Sequence, residues 1–209
     1  EKLREIYGSA SPHAAAKVIS QFDKHCRKFI EHATFLVLAT SDGTNLDVSP
    51  KGDPAGFVEV ESEKTLLIPD RPGNNRIDGL LNILAHPKVA LLFMIPGVTE
   101  TLRVNGTAEI SDAPELCDRF EINGRNPKTV LRVFADEVFT HCGKAPMRGG
   151  LWKPTTWSES RPIAPLYEMI RDHSKMEVAF NFCIFITVRT VYSISTFRLS
   201  VFFSNSSFF

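Results

Sequence analysis

The chain has 209 residues, in which 24 Lys and Arg together balance 24 Asp and Glu, for a formal net charge of zero. That length suits one domain with a sizeable core and is short for two, and the balance leaves no electrostatic footprint for nucleic acid or an anionic membrane surface. The cysteines Cys26, Cys117, Cys142 and Cys183 show no short paired spacing, which argues against a zinc site and a disulfide framework and for a reducing, cytoplasmic setting.

Glu1 to Ala16 is charged and lacks an apolar core segment, so no signal peptide is expected. Ala14 to His32 reads as one helix, with Val18, Phe22, Cys26, Phe29 and Ile30 recurring at near-helical spacing. Phe35 to Thr40 is a buried-strand pattern, Ser41-Asp42-Gly43-Thr44 is a turn, and the next strand runs into Ser49-Pro50-Lys51-Gly52-Asp53. Phe57 to Val60 and Thr65 to Ile68 form a hairpin. Ile77 to Leu84 reads as a helix, Val89 to Ile95 and Thr101 to Ile110 as paired strands, Ala113 to Phe120 as a short helix, and Thr129 to Phe139 as a final strand. Short strands with helices at their margins predict a mainly β, α+β fold, a six-stranded antiparallel barrel whose closure removes exposed edges. No internal repeat is evident.

The segment Ile68-Pro69-Asp70-Arg71-Pro72-Gly73-Asn74-Asn75-Arg76 carries the most chemistry. Two arginines and two amides sit in a Pro-Gly turn ahead of a helix, so guanidinium forks and free backbone N–H groups can converge on one anion, with phosphate as the natural guest. The competing reading is a solvated surface turn, since nothing here is as restrictive as a P-loop. His141 beside Cys142 has no third orienting carboxylate at fixed spacing and reads as a packing pair before a catalytic dyad. The other histidines, His13, His25, His32, His86 and His173, lack metal-ligand spacing.

The order strand, Ser-Pro-Lys-Gly-Asp, strand, Arg-Pro-Gly-Asn-Asn-Arg, helix, strand, Asn105-Gly106-Thr107-Ala108 resembles the pyridoxamine 5'-phosphate oxidase-related family of FMN-binding split barrels, over roughly Leu3 to Leu166. It is closest to that family's uncharacterised flavoprotein branch. The resemblance implies FMN as cofactor at a homodimer interface. Arg76, Arg71, Lys51 and Asn75 are then the first candidates for the phosphate, with Asn75-Arg76 in the place of the family's Ser-Arg contact. Val48, Ser49, Pro50 and Ile68 would pack along the flavin ring, and Thr101 would reach across the dimer. Lys144, within His141-Cys142-Gly143-Lys144, would come from the partner subunit, ahead of Leu151-Trp152. Pro69, Arg148 and Trp152 complete the cofactor-binding candidates. No catalytic residue is assigned, and no metal site is expected.

Trp157-Ser158-Glu159-Ser160-Arg161-Pro162 departs from the substrate-binding ending of the true oxidases, so pyridoxamine phosphate is not the expected substrate. The expected activity is a flavin-dependent oxidation or reduction of a small molecule, with NAD(P)H or another two-electron donor. The alternative is a non-catalytic flavin, haem or deazaflavin binding or sensing module. Residues 1–176 form the expected domain. Residues 177–209 are an atypical Phe- and Ser-rich extension without acidic residues after Glu177, interrupted by Arg189 and Arg198 before it reaches the ~18–20 apolar residues of a membrane span. It reads as a mistranslated or unspliced segment with an aggregation hazard.

Overall fold

The computed structural model describes residues 1–175. In chain order these form α1 (Lys2–Tyr7), α2 (Pro12–Ala16), α3 (Lys24–His32), β1 (Phe35–Ser41), β2 (Leu46–Gly52), β3 (Glu59–Val60), β4 (Thr65–Asp70), α4 (Asp78–Ala85), β5 (Lys88–Met94), β6 (Thr101–Ser111), α5 (Pro114–Cys117), β7 (Thr129–His141), α6 (Lys144–Arg148) and α7 (Leu166–Ser174). The chain divides into two units, Glu1–Ser158 and Glu159–Phe209. Of the second, residues 159–175 are described. There the Arg161 guanidinium donates to the carbonyls of Ile163 and Ala164 ahead of α7. The expectations for the 177–209 extension lie outside the described residues.

The first unit is an antiparallel split barrel with strand order β2-β1-β5-β6-β7-β4-β3. It has seven strands against the six expected. The strand expected over Phe57 to Val60 is the two-residue β3, which pairs only with β4. The register puts Leu38 opposite Ser49 and Leu91, and Leu91 opposite Val104. Alternation along these strands sends Leu36, Leu38, Leu91, Phe93, Leu102 and Val104 into one core, where α3 adds Cys26 and Ile30 and α4 adds Ile83. In β4 every residue from Thr65 to Pro69 is buried. Leu66 and Ile68 belong to that core, while Leu67 faces a second cluster with Leu116, Cys117, Phe120 and Val130. Burial on both faces explains why this strand reads as an unbroken apolar run.

The longest ribbon, β6 with β7, shifts register between Asn105 and Gly106. A side chain at Gly106 would overlap the backbone carbonyl of Phe134. Only glycine fits where the two backbones approach this closely.

The helix expected over Ala14 to His32 is two helices with an extended segment between them. Ile19 pairs with Val138, and the Phe22 N–H donates to the Glu63 carbonyl, so backbone groups that a helix would have used internally are spent on the barrel. Asp23 then restarts the helix, its carboxylate accepting from the backbone N–H groups of Cys26 at 2.8 Å and His25 at 2.9 Å. The Cys26 N–H, above all, holds the Asp23 carboxyl below its usual range. Burial pushes the Cys26 thiol up to about 12, so it is no nucleophile at neutral pH.

Candidate functional site

A cleft of about 630 Å³ opens between the end of β2, the β4–α4 loop and the start of β7. Edge strand β2 supplies one wall, with Val48, Ser49, Pro50 and Lys51 lining the cavity. The loop after β4 supplies the other wall. Asn75 and Ile77 both adopt left-handed backbone conformations, at φ 59° and 53°. Asn tolerates that region, whereas a β-branched Ile there is strained, and this strained residue caps α4. A Cβ at Gly79 would lie 3.2 Å from an Asp47 carboxylate oxygen, so a bare residue lets α4 sit close on β2. The Asn82 amide ties the same helix to Thr40 on β1 at 3.1 Å.

Three basic residues of the cleft each meet a carboxylate. Lys51 Nζ lies 2.7 Å from Asp70, Arg71 Nε 2.6 Å from Asp53, and the Arg76 guanidinium 2.7 Å from Asp78. Arg71 also donates to the Phe120 carbonyl at 2.6 Å, which fastens the loop to the second apolar cluster. The Arg76 pair is the most exposed, with 74% of the Arg76 side chain accessible. Lys128, on the rim, forms no ion pair among the described residues. Beside it, the Thr129 hydroxyl is buried without a hydrogen-bond partner, an arrangement that costs free energy until a partner arrives.

Of the residues expected to bind a cofactor, Val48, Ser49, Pro50, Lys51, Arg71, Asn75 and Arg76 line this one cleft. Ile68 does not: its side chain is in the core, and Pro69 is buried opposite Val130. Thr101 stands opposite His141 at the far end of the β6–β7 ribbon. Lys144 and Arg148 are on α6, with Trp152 just beyond it, and none of them lines the cleft. Lys128 and Thr129 were missed, as were Asp47 and Asp78. The first two had a signal in the sequence, because Pro127-Lys128-Thr129 repeats the Pro, Lys and hydroxyl content of Ser49-Pro50-Lys51.

A seven-stranded antiparallel split barrel with a basic cleft at one edge strand defines the class of protein. A family model described as pyridoxamine 5'-phosphate oxidase matches residues 22–142, and the chain belongs to that family. Among solved structures it is similar to HupZ of Group A Streptococcus at 20% identity and TM-score 0.46, over 57% of this chain and 98% of that one. It is also similar to a candidate pyridoxamine 5'-phosphate oxidase of Lactobacillus delbrueckii, at 20% identity and TM-score 0.45 over 58% and 95%. General stress protein 26 of Bacillus anthracis follows at 17% identity and TM-score 0.40, over 54% and 88%. Likeness at these levels carries no functional argument. Among curated proteins, none matches.

Proposed function

We propose that this chain is an FMN-dependent oxidoreductase of the pyridoxamine 5'-phosphate oxidase-like type, a cytoplasmic homodimer that acts on a small molecule and takes electrons from NAD(P)H or another two-electron donor. The observation that carries the reading is the convergence of Lys51, Arg76 and Lys128 on one cleft. A phosphate monoester brings nearly two negative charges and several acceptor oxygens, which suits that donor set. The volume, about 630 Å³, falls in the range of roughly 300–1,000 Å³ usual for small-molecule sites. The residues present therefore fit FMN.

Each group has a role in this reading. Arg76 trades Asp78 for the phosphate, Lys128 adds a charge already free, and Lys51 adds a second cation from its pair with Asp70. Arg71 stays with Asp53 and Phe120 and holds the loop in place. Val48, Pro50 and Leu80 offer apolar surface to a flat ring. Bound FMN would supply the two-electron chemistry, so the chain itself needs no strong acid or nucleophile. Leu46 and Val48 on β2 are 83% and 64% exposed, and Leu81 and Leu84 on α4 are 52% and 73% exposed, apolar surface that supports a dimer. No helix among the described residues is long and apolar enough to cross a membrane.

The test is to add FMN to the purified protein, remove the excess, and record the visible absorption of wild type and Arg76→Ala. Retention by wild type with loss in the variant is the expected result, and a colourless wild type overturns the proposal. Oxidation of reduced nicotinamide with an artificial acceptor then separates an enzyme from a binding module.

A further inference from the structure

The chain contains two Asn-Gly dipeptides, Asn105-Gly106 and Asn123-Gly124, and the fold treats them in opposite ways. Asn123 and Gly124 are the central residues of a tight turn, at φ 53° and 72°. The Ile122 N–H donates to the Arg125 carbonyl at 3.0 Å, and the Arg125 N–H donates to the Ile122 carbonyl at 3.1 Å. Positive φ at both central positions is the type I′ geometry that an Asn-Gly pair favours. Every residue from Glu121 to Asn126 is exposed. Among the described residues the Asn123 side chain makes no hydrogen bond, while the Gly124 N–H donates to the Glu121 carboxylate at 3.2 Å. Asn105, by contrast, is pinned. Its amide oxygen accepts from Arg103 Nε at 3.1 Å, its amide N–H donates to Glu137 at 2.9 Å, and its backbone lies in β6 between β5 and β7.

We propose that Asn123 is a site of spontaneous covalent modification, at which the Gly124 nitrogen attacks the Asn123 side-chain amide and converts it to aspartate and isoaspartate, while the sheet protects Asn105. The steps balance with water as the only co-reactant. As the Gly124 nitrogen bonds to Asn123 Cγ, its proton passes to the Glu121 carboxylate that already accepts from it. The Cγ–Nδ2 bond then breaks, and the amide nitrogen takes up that proton and leaves as ammonia. Water opens the resulting cyclic imide at either carbonyl, giving aspartate or an isoaspartate whose main chain runs through the side chain. This chemistry does not depend on the function proposed for the cleft.

Local freedom decides between the two sites. Glycine has no Cβ, so at both dipeptides nothing on that residue crowds the approach of its nitrogen to Cγ. The attack requires the asparagine to rotate out of its native conformation. At Asn123 that rotation disturbs a turn closed by one exposed pair of backbone bonds, which opens at little cost. At Asn105 it would break the side-chain bonds to Arg103 and Glu137 and the ladder at the bulge, where the Phe134 carbonyl lies against Gly106. The product in turn bears on the fold. Isoaspartate lengthens the main chain and cannot keep a two-residue turn, and either product sets a new carboxylate two residues from Glu121.

The test incubates the purified full chain in neutral buffer at physiological temperature and maps its peptides by mass spectrometry over time. The readout is the mass gain from amide to acid at Asn105 and at Asn123, with aspartate and isoaspartate separated by chromatography. A sample unfolded in guanidinium chloride runs in parallel. In the folded chain Asn123 is expected to convert about tenfold faster than Asn105, or more. In the unfolded chain the two rates are expected to converge, because both residues precede glycine. Glu121→Gln removes the proton acceptor and is expected to slow Asn123 several-fold in the folded chain, with Asn105 unchanged. Equal rates at the two sites in the folded chain, or an Asn123 that persists there while the unfolded chain converts, overturns the proposal. An unchanged Asn123 rate in Glu121→Gln overturns the part given to that carboxylate.

Discussion

The cleft and the cluster of Lys17, Arg103 and His141 around Phe139 are both built from basic side chains on the same β-ribbon system, but they handle their charge differently. In the cleft, Lys51, Arg71 and Arg76 each have an internal carboxylate within 2.7 Å. Around Phe139, Lys17 and Arg103 rest on a ring, a backbone carbonyl and an amide. A ligand entering the cleft gains only the difference between its own contacts and the ion pairs it displaces, whereas Lys17 and Arg103 have only neutral acceptors to give up. Exposure then sorts the cleft residues. The open Arg76–Asp78 pair is easily exchanged, while Arg71–Asp53, at 23% and 16% side-chain exposure, is bound into the structure.

The strongest way to break the comparison is to damage the ribbon that both regions share. Gly106→Ala places a methyl group against the Phe134 carbonyl at the bulge and is expected to cost about 3 kcal/mol. Urea unfolding should show the loss, with FMN retention and the NMR resonance of the His141 ring disturbed together.

A milder change separates structural from exchangeable arginines. Arg71→Ala leaves Asp53 and the Phe120 carbonyl without their donor and should destabilise by about 2 kcal/mol. Arg76→Ala should change stability by less than ~0.5 kcal/mol, given its exposure, while reducing FMN retention. Equal stability losses in the two variants would show that the distinction is wrong. Smaller still, Asp78→Asn frees Arg76 of its counter-ion, and FMN affinity measured by fluorescence quenching should rise about threefold.

The smallest effect is a pH dependence at the other region. The folded chain holds His141 below its ordinary value, chiefly through burial, so the unfolded chain binds the proton more readily. Its contribution to stability is fully present above about pH 6.5, the ordinary histidine value, and is lost as pH falls through the depressed folded one. Unfolding curves through that window should decline less in His141→Gln than in wild type. Parallel curves would mean that His141 is not held below its ordinary value in the folded chain, by burial or by the cations beside it.

Much of the architecture was legible from local pattern. The strand runs, the Ser49-Pro50-Lys51 turn, the Arg71-to-Arg76 loop and the helix behind it fall where periodicity and turn residues put them. The Ala14 to His32 helix failed because Ile19 and Phe22 give their backbone bonds to the barrel, and no helical period reveals that competition. Ile68 was expected to pack along the flavin ring, but strand alternation turns its side chain into the core. Lys128 and Thr129 were missed because they lie more than fifty residues from the loop they face, and only β4–β7 pairing, Asp70 opposite Thr129, joins them.

The sequence by itself therefore determined most of the elements, the family likeness and the supply of basic residues, because hydrophobic period and turn chemistry act over a few neighbouring positions. Only the tertiary structure decided which basic residues carry a counter-ion and which do not. Asp53 and Arg71 are 18 residues apart and Lys51 and Asp70 are 19 apart, while Lys17 and Phe139 meet from opposite ends of the described barrel unit. Charge pairing depends on distance in space, and strand register, with its bulge at Gly106, sets those distances.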